Sequence, residues 1–173
     1  MKNRRLSSRR IYQGSILNLR LDEVEQPDGR RTQREIIEHP GAAVIVPIDR
    51  EGRLHLVRQY RDAAGETLLE LPAGKLRPGE DPVECARREL REELGLTAGR
   101  MEHLASFYSS PGFCDEIMHV YLARDLTQGQ QEMDRGEFIE PETREMEELD
   151  SLLQELRDAK SLAGILLARR FLE

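Results

Sequence analysis

Residues 74–96, GKLRPGEDPVECARRELREELGL, contain the most strongly marked helix of the chain. Asp81 is a residue type that caps helix N-termini, and Pro82 suits the first helical position because its missing N–H is not needed there. Gly95 follows the last apolar residue, where a left-handed C-cap is expected. The sequence therefore predicts a helix from Pro82 to Leu94.

The predicted helix has an apolar face and an acidic one. On a wheel of about 100° per residue, the residues that share the apolar face are Val83, Ala86, Leu90 and Leu94. The adjacent face carries Glu89, Glu92 and Glu93. Like charges at this spacing destabilise an isolated helix by about 0.2–0.5 kcal/mol per pair. The acidic face is therefore either a solvated surface or a site for a hard divalent cation, which prefers carboxylate oxygens.

The spacing of the fixed residues favours the second interpretation. In the pattern GX5EX7RELXEEXGL, residues 74–96 resemble the Nudix box at every specified position. The resemblance extends from about Gly41 to the C-terminus. It implies a metal-dependent enzyme that hydrolyses a diphosphate bond, with an α/β (α+β) fold of the Nudix-like α/β/α sandwich type built on a mixed sheet.

The same resemblance implies a role for each box residue. Glu89 and Glu93 correspond to direct metal ligands, and Glu92 to a further or water-mediated one. Gly74 permits a close backbone approach, and the carbonyl of Ala73 corresponds to a backbone ligand. The expected cofactor is Mg²⁺, with Mn²⁺ or another divalent cation as the alternative.

Two further box residues, Glu80 and Arg88, are expected to form a structural ion pair that ties the preceding loop to the helix. The alternative for Glu80 is a direct role as metal ligand or base.

Around the box, turn residues and apolar patterns predict a mixed sheet with helices on both faces. Residues 1–40 are predicted to form an N-terminal β-hairpin and dimerisation segment, and residues 41–173 the Nudix domain. The expected strands are 17–21, 31–38, 42–48, 54–60, 68–71, 104–108 and 117–123. A polar loop is expected over 125–137, followed by helices at 146–156 and 162–172, the second capped by Ser161.

Outside the box, VRQYR (57–61), LELPAG (69–74) and SPGF (110–113) resemble the ADP-ribose pyrophosphatase branch of the family. Pro111 lies sixteen residues beyond Gly95, the offset that marks ADP-ribose as substrate in that branch. The resemblance implies cleavage of ADP-ribose to AMP and ribose 5-phosphate. The alternatives are GDP-mannose or another nucleoside diphosphate sugar and, from a different class, a non-catalytic domain that senses ADP-ribose.

The branch resemblance also indicates substrate-binding residues. Arg61 is expected to bind a substrate phosphate, and Glu70 to accept a hydrogen bond from adenine or ribose. Arg31, with Arg34 as the weaker candidate, corresponds to an arginine delivered from the partner subunit of a homodimer. Tyr12 or an aliphatic residue would stack on the adenine, because the chain has no Trp.

A late carboxylate completes the site that the resemblance implies. Glu137 corresponds to the general base or an additional metal ligand, with Glu132 and Asp134 as alternatives on the same acidic stretch. His103 and His119 lie in predicted strands and are interpreted as structural or surface residues.

Composition excludes several other classes of protein. The net charge of −7 argues against nucleic-acid and membrane partners, both of which are polyanionic. Cys85 and Cys114 provide neither a disulfide framework nor zinc-ligand spacing. The N-terminal MKNRRLSSRR is basic, but no apolar run follows it, so it does not predict a secretory signal. We expect a cytoplasmic enzyme that acts on a small nucleoside diphosphate.

Overall fold

The computed structural model describes residues 2–132 and 138–171. Its internal contacts divide the chain into two units, each described below by itself. The first comprises Met1–Gly41 and Phe107–Ile117, and the second comprises Ala42–Ser106 and Met118–Glu173. No helix among the described residues is long and apolar enough to cross a bilayer.

The first unit is built on an antiparallel sheet of strands β1 (Arg4–Gln13), β2 (Asn18–Glu25) and β3 (Arg31–Glu38), in the order β1-β2-β3. The predicted hairpin is the pair β2–β3, which turns at Gly29 with a φ of 85°. The prediction missed β1 because RRLSSRRIYQ has no alternating apolar face and most of its side chains are exposed.

The second unit contains the remaining strands and all the helices of the described residues. Its elements are β4 (Ala42–Pro47), β5 (Arg53–Arg61), β6 (Glu66–Glu70), β7 (Ala73–Lys75), α1 (Pro82–Leu94), β8 (Leu96–Tyr108), β9 (Ile117–Gln128), β10 (Ile139–Glu145), a 3-10 turn (Met146–Glu148), α2 (Leu149–Glu155) and α3 (Ala159–Arg169), with the ends of β8 and β9 reaching into the first unit. One sheet has the order β10-β5-β6 and the other β7-β4-β9-β8. In the second sheet β4 runs parallel to β9 and antiparallel to β7, so the predicted mixed sheet is confirmed.

Helices cover both faces of this mixed sheet. On β4, Ala43 and Ile45 pack with Leu90 of α1 in one buried cluster. The alternate residue Val46 points to the opposite face, as the two-residue period of a strand requires. There a Cβ on Gly164 of α3 would lie 3.4 Å from Val46. The arrangement is the α/β/α sandwich that the sequence predicted.

Two boundary predictions were wrong because pairing between strands overrides local polarity. The expected loop over 125–137 begins as strand, since β9 continues to Gln128. The expected loop is followed by an unpredicted strand, β10, of sequence IEPETRE. Only Ile139 of this strand is buried, and β10 is held by its antiparallel register with β5.

Ser161 is not the N-cap of the last helix. Asp158 has that role, because its side chain accepts hydrogen bonds from the backbone N–H groups of Lys160 and Ser161. The Ser161 side chain is buried, and its Oγ accepts from the N–H of Leu71 at 2.7 Å. The serine thus joins α3 to the segment that follows β6.

Candidate active site

Helix α1 has the caps that the sequence predicted. The carboxylate of Asp81 accepts from the N–H of Val83 at 3.0 Å, and Gly95 adopts the left-handed conformation with a φ of 66°. The segment after β9 is fixed to this end of the helix. Gly129 donates its N–H to the carbonyl of Gly95 at 2.7 Å, and the Gln131 side chain donates to the carbonyl of Glu93 at 2.6 Å.

One arginine joins the carboxylates of the box. Arg88 donates through Nε to Glu80 at 2.9 Å, and through Nη1 to Glu89 at 2.5 Å and to Glu92 at 2.8 Å. The hydrogen bond from Arg88 lowers the pKa of Glu80 to about 2. We call these four residues the acidic cluster. The predicted ion pair between Glu80 and Arg88 is confirmed.

The carboxylate of Glu89 lies directly against Gly74. A Cβ at Gly74 would overlap the Glu89 carboxylate, so no other residue fits there without moving the glutamate. The close approach predicted at Gly74 is therefore made by the side chain of a predicted metal ligand.

Glu93 lies one helical turn beyond Glu89 and is only 5% exposed. Its Oε2 accepts from the N–H of Ala73 at 3.2 Å. Burying a carboxylate is costly unless hydrogen bonds or charges compensate it. The structure thus brings two predicted metal-site residues, Ala73 and Glu93, together.

The predicted ligands are gathered at the β7–α1 junction, but they are not arranged around one point. Within residues 2–132 and 138–171, no three His, Cys, Asp or Glu side chains are grouped to hold a metal ion. Glu89 and Glu92 instead share Arg88, while Glu93 bonds to Ala73. Their carboxylate oxygens are nevertheless hard donors of the type that Mg²⁺ and Mn²⁺ prefer.

A second group of charges surrounds Glu70 at the end of β6. Arg61 donates to both of its carboxylate oxygens, at 3.0 and 2.7 Å, and Lys160 Nζ donates to Oε2 at 2.5 Å. Glu70 is only 2% exposed, so it is not a surface carboxylate. Burial by itself raises the pKa of Glu70, but the hydrogen bond from Arg61 and the charge of Lys160 outweigh it and hold the pKa below its usual value. We call Arg61, Glu70 and Lys160 the Glu70 cluster.

Lys160 is the member of this cluster that the sequence analysis missed. Its Nζ also bonds to Asp158 at 3.0 Å, so the α3 N-terminus holds the lysine against Glu70. The only local signal is a lysine in a mostly apolar helix. Its partner is 90 residues away, a pairing that no local pattern contains.

The remaining predicted site residues are less closely held. Arg31 and Pro111 belong to the first unit and are exposed, as is Tyr12, whereas Arg34 is half-buried. The substrate-binding roles expected for these four residues stay predictions.

The late-carboxylate predictions have different outcomes. Glu137 and Asp134 lie outside the described residues. Glu132 is 3.5 Å from Arg91 in an exposed ion pair.

The two strand histidines hydrogen-bond to one serine. His103 Nε2 and His119 Nδ1 lie 2.8 and 2.9 Å from the Ser106 hydroxyl. Burial lowers the pKa of His119, which favours its neutral form. Their contacts fit the structural role expected for both.

Comparison with known proteins places this geometry in a family. The family model of the NUDIX domain matches residues 38–167. The family model of the nucleoside diphosphate sugar hydrolase N-terminal domain matches residues 4–37.

Individual relatives match almost the whole chain. It is 38% identical over 169 residues to an ADP-ribose pyrophosphatase of Bacillus subtilis, covering 95% of this chain and 91% of that protein. It is also 38% identical over 164 residues to a methanol dehydrogenase activator of Bacillus methanolicus, with 92% and 89% coverage. A crystal structure of an ADP compounds hydrolase superimposes with a TM-score of 0.89 at 25% identity, covering 99% of this chain and 95% of that one. The chain therefore belongs to the Nudix family, and it is a Nudix hydrolase.

Proposed function

We propose that this enzyme hydrolyses the diphosphate bond of ADP-ribose to AMP and ribose 5-phosphate, with Mg²⁺ as the cofactor. The observation that carries the proposal is the gathering of Glu89 and Glu93 at the β7–α1 junction, with Glu89 against Gly74 and Glu93 bonded to the N–H of Ala73. A guanidinium suited to phosphate, that of Arg61, is held by Glu70 in the same unit. The ADP-ribose pyrophosphatases among the relatives support this substrate over other nucleoside diphosphates.

The carboxylates of Glu89, Glu92 and Glu93, with the carbonyl of Ala73, would hold the divalent ion. When bound, such an ion supplies charge neutralisation at the diphosphate and a lower pKa for the attacking water. Glutamate side chains have three rotatable bonds, so Glu89 and Glu92 can turn from Arg88 toward a shared cation. Gly74 leaves the space in which the Glu89 carboxylate lies.

Arg61 would bind a substrate phosphate oxygen. Glu70 takes the Nε and Nη2 donors of Arg61, which fixes the plane of the guanidinium, and the side chain stays 39% exposed. Glu70 is shared between Arg61 and Lys160, and Lys160 is in turn bonded to Asp158. Charge-assisted, planar contacts of this kind are suited to phosphate recognition.

Glu137 is proposed as the general base. The proposal is supported by Gln131, six residues earlier, whose side chain donates to the carbonyl of Glu93 at 2.6 Å.

A substrate panel tests the proposal directly. The purified protein with Mg²⁺ is given ADP-ribose, GDP-mannose, diadenosine polyphosphates and CoA, and the products are identified by mass. We expect the highest kcat/KM for ADP-ribose, with AMP and ribose 5-phosphate as products. A higher kcat/KM for GDP-mannose or another competitor would replace the substrate and leave the reaction class standing.

We further propose that the enzyme is a homodimer in which Arg31 of one subunit reaches the substrate of the other. Arg31 is exposed at the start of β3, and a small sheet such as β1-β2-β3 gains stability from a packing partner. Arg31→Gln should raise KM for ADP-ribose, while the control Arg30→Gln removes a neighbouring arginine that is paired with Asp28. Light scattering of the intact protein reports the oligomeric state, and an active monomer would contradict the proposal.

A further inference from the structure

The proposed reaction makes no use of the basic N-terminal segment. Residues 1–13, MKNRRLSSRRIYQ, contain five Lys or Arg and no acidic residue, in a chain whose net charge is −7. Most of this segment forms β1, an edge strand of the three-stranded sheet. A positive edge on an acidic protein indicates a local role for the charge.

The strand register places part of this charge on one face of the sheet. Ser8 of β1 lies opposite Asp22 of β2, and Arg10 lies opposite Arg20. Because alternate residues of a strand share a face, all four side chains lie on the same side.

A β-bulge adds a third arginine to this face. The register of β1 shifts between Arg5 and Ser7, so that Arg5 lies opposite Val24. Val24 is two residues from Asp22 and therefore shares its face. In an unbroken strand Arg5 and Ser8 would point to opposite faces, whereas the bulge turns Arg5 to the side of Ser8.

Two carboxylates hold the three guanidinium groups in place. Glu38 accepts from Arg10 at 3.2 Å and from Arg20 at 2.6 Å, which offsets the repulsion between two directly opposed arginines. The hydrogen bond from Arg20 lowers the pKa of Glu38, so this carboxylate stays ionised at neutral pH. Asp22, 5% exposed, accepts from Arg20 at 3.2 Å and lies 3.8 Å from Arg5. Three positive groups against two negative ones leave one net positive charge.

On this face lies a cavity of about 300 Å³ that is open to solvent and is lined by Arg5, Ser8, Arg10, Arg20 and Glu38. Arg5 and Arg10 are 59% and 53% exposed, so their guanidinium groups are open to solvent at the cavity. Arg20 is largely covered and is fixed by both carboxylates.

We propose that this cavity binds the phosphate group of a small molecule, either inorganic phosphate or a phosphate monoester. Guanidinium groups donate paired hydrogen bonds that match phosphate oxygens, and the net positive charge favours an anion. Because Glu38 and Asp22 hydrogen-bond to Arg10 and Arg20 beforehand, these two side chains lose less freedom when the anion binds. The site belongs to the first unit and includes none of the carboxylates of α1.

The test is a calorimetric titration of the full-length protein with inorganic phosphate and, separately, with ribose 5-phosphate. EDTA and constant ionic strength are maintained, and an Arg61→Gln background removes the phosphate contact proposed above. Arg10→Gln is compared with Arg9→Gln, a matched control because Arg9 carries the same charge on the opposite face of the same strand. We expect about tenfold or greater weakening of phosphate binding for Arg10→Gln and less than about twofold for Arg9→Gln.

Arg5→Gln serves as a second variant, since its ion pair with Asp22 is long and the arginine itself is exposed, so its loss should leave the fold intact. Binding of both ligands identifies the phosphate group itself as the recognised feature. Binding of only one of the two ligands identifies whether the site takes free phosphate or a phosphate monoester, and it still supports the site. Equal phosphate affinities of the Arg5, Arg10 and Arg9 variants would overturn the proposal. So would the absence of binding at millimolar phosphate by the protein in which β1 is unchanged.

Discussion

The acidic cluster and the Glu70 cluster stabilise poorly exposed carboxylates in opposite ways. In the first, one arginine, Arg88, is shared by three carboxylates. In the second, one carboxylate, Glu70, is shared by the two cations Arg61 and Lys160. Each set is held by hydrogen bonds, yet carboxylates outnumber cations in the first, whereas two cations surround one carboxylate in the second, where Lys160 also bonds to Asp158.

This difference assigns the two halves of the proposed reaction to different parts of the second unit. Excess carboxylate oxygen suits a divalent cation, and excess guanidinium or ammonium suits the phosphate that the cation polarises. The charge of Glu93 on α1 is one of the causes that raise the pKa of Arg61. Changing the charge balance of either set should therefore impair a different kinetic step.

The largest effect is expected from Glu93→Gln. The change is nearly isosteric and keeps an acceptor for the N–H of Ala73, so the fold should persist. It removes a charge from the proposed cation site, and we expect kcat to fall by about a hundredfold or more, since metal ions contribute several kcal/mol to such barriers. Steady-state kinetics at saturating Mg²⁺, with Mn²⁺ binding as a second readout, measures the loss.

Glu84→Gln is the matched control, because Glu84 is an exposed glutamate in the first turn of the same helix. It should retain wild-type turnover and Mn²⁺ affinity. Near-wild-type activity of Glu93→Gln at saturating Mg²⁺ would remove Glu93 from the ligand set.

A smaller, differently placed effect is expected from Lys160→Met. Without the lysine, Glu70 fully neutralises Arg61, so substrate binding should weaken while the carboxylates of α1 are unchanged. We expect KM for ADP-ribose to rise about tenfold, the value of one charge-assisted contact, with kcat reduced less. Lys160→Arg keeps the positive charge and should recover most of the affinity.

Arg157→Met controls for loss of a nearby surface cation, since Arg157 is 68% exposed in a pair with Glu66. If Lys160→Met lowers only thermal stability and leaves KM at the wild-type value, the lysine is a structural tie between α3 and β6. If Lys160→Arg does not restore the wild-type KM, the shape of the lysine side chain, and not its charge, is what matters at Glu70.

The acidic cluster could be predicted from sequence, and the Glu70 cluster only in part. Arg88, Glu89 and Glu92 lie on one helix, so helical geometry puts them near each other. Glu80 lies before the helix, and its pairing with Arg88 was expected from the family pattern. The caps at Asp81 and Gly95 were predicted for the same reason. Features of this kind can be predicted because they depend on residues that are close in the sequence.

Lys160 and β10 lie beyond this reach because each depends on a partner far along the chain, whereas β1 was missed because it has no alternating apolar face. Lys160 meets Glu70 across 90 residues, and β10 pairs with β5 without an apolar pattern of its own. The mutual pairing of Arg61 and Glu70 was also missed, although both residues had been selected as substrate contacts. The family pattern indicates which residues have functional roles, and the fold determines which of them contact each other.

The smallest predicted effect is a pH dependence of stability that belongs to the acidic cluster. The pKa of Glu80 is about 2 in the folded protein, against 4.5 as its ordinary value, because Arg88 donates to its ionised carboxylate. A lowered pKa stabilises the fold at pH values above 4.5, and this contribution is lost as the pH falls toward 2. Glu80→Gln should therefore be less stable than wild type by about 2 kcal/mol at pH 7, the value of a hydrogen bond to a charged group. The difference should shrink between pH 5 and pH 3, where wild type loses this contribution and the glutamine variant does not. Urea unfolding of both proteins in EDTA across that range measures the difference. A gap that stays constant from pH 7 to pH 3 would mean that Arg88 is held by Glu89 and Glu92 alone, and that Glu80 adds nothing to the charge balance of the cluster.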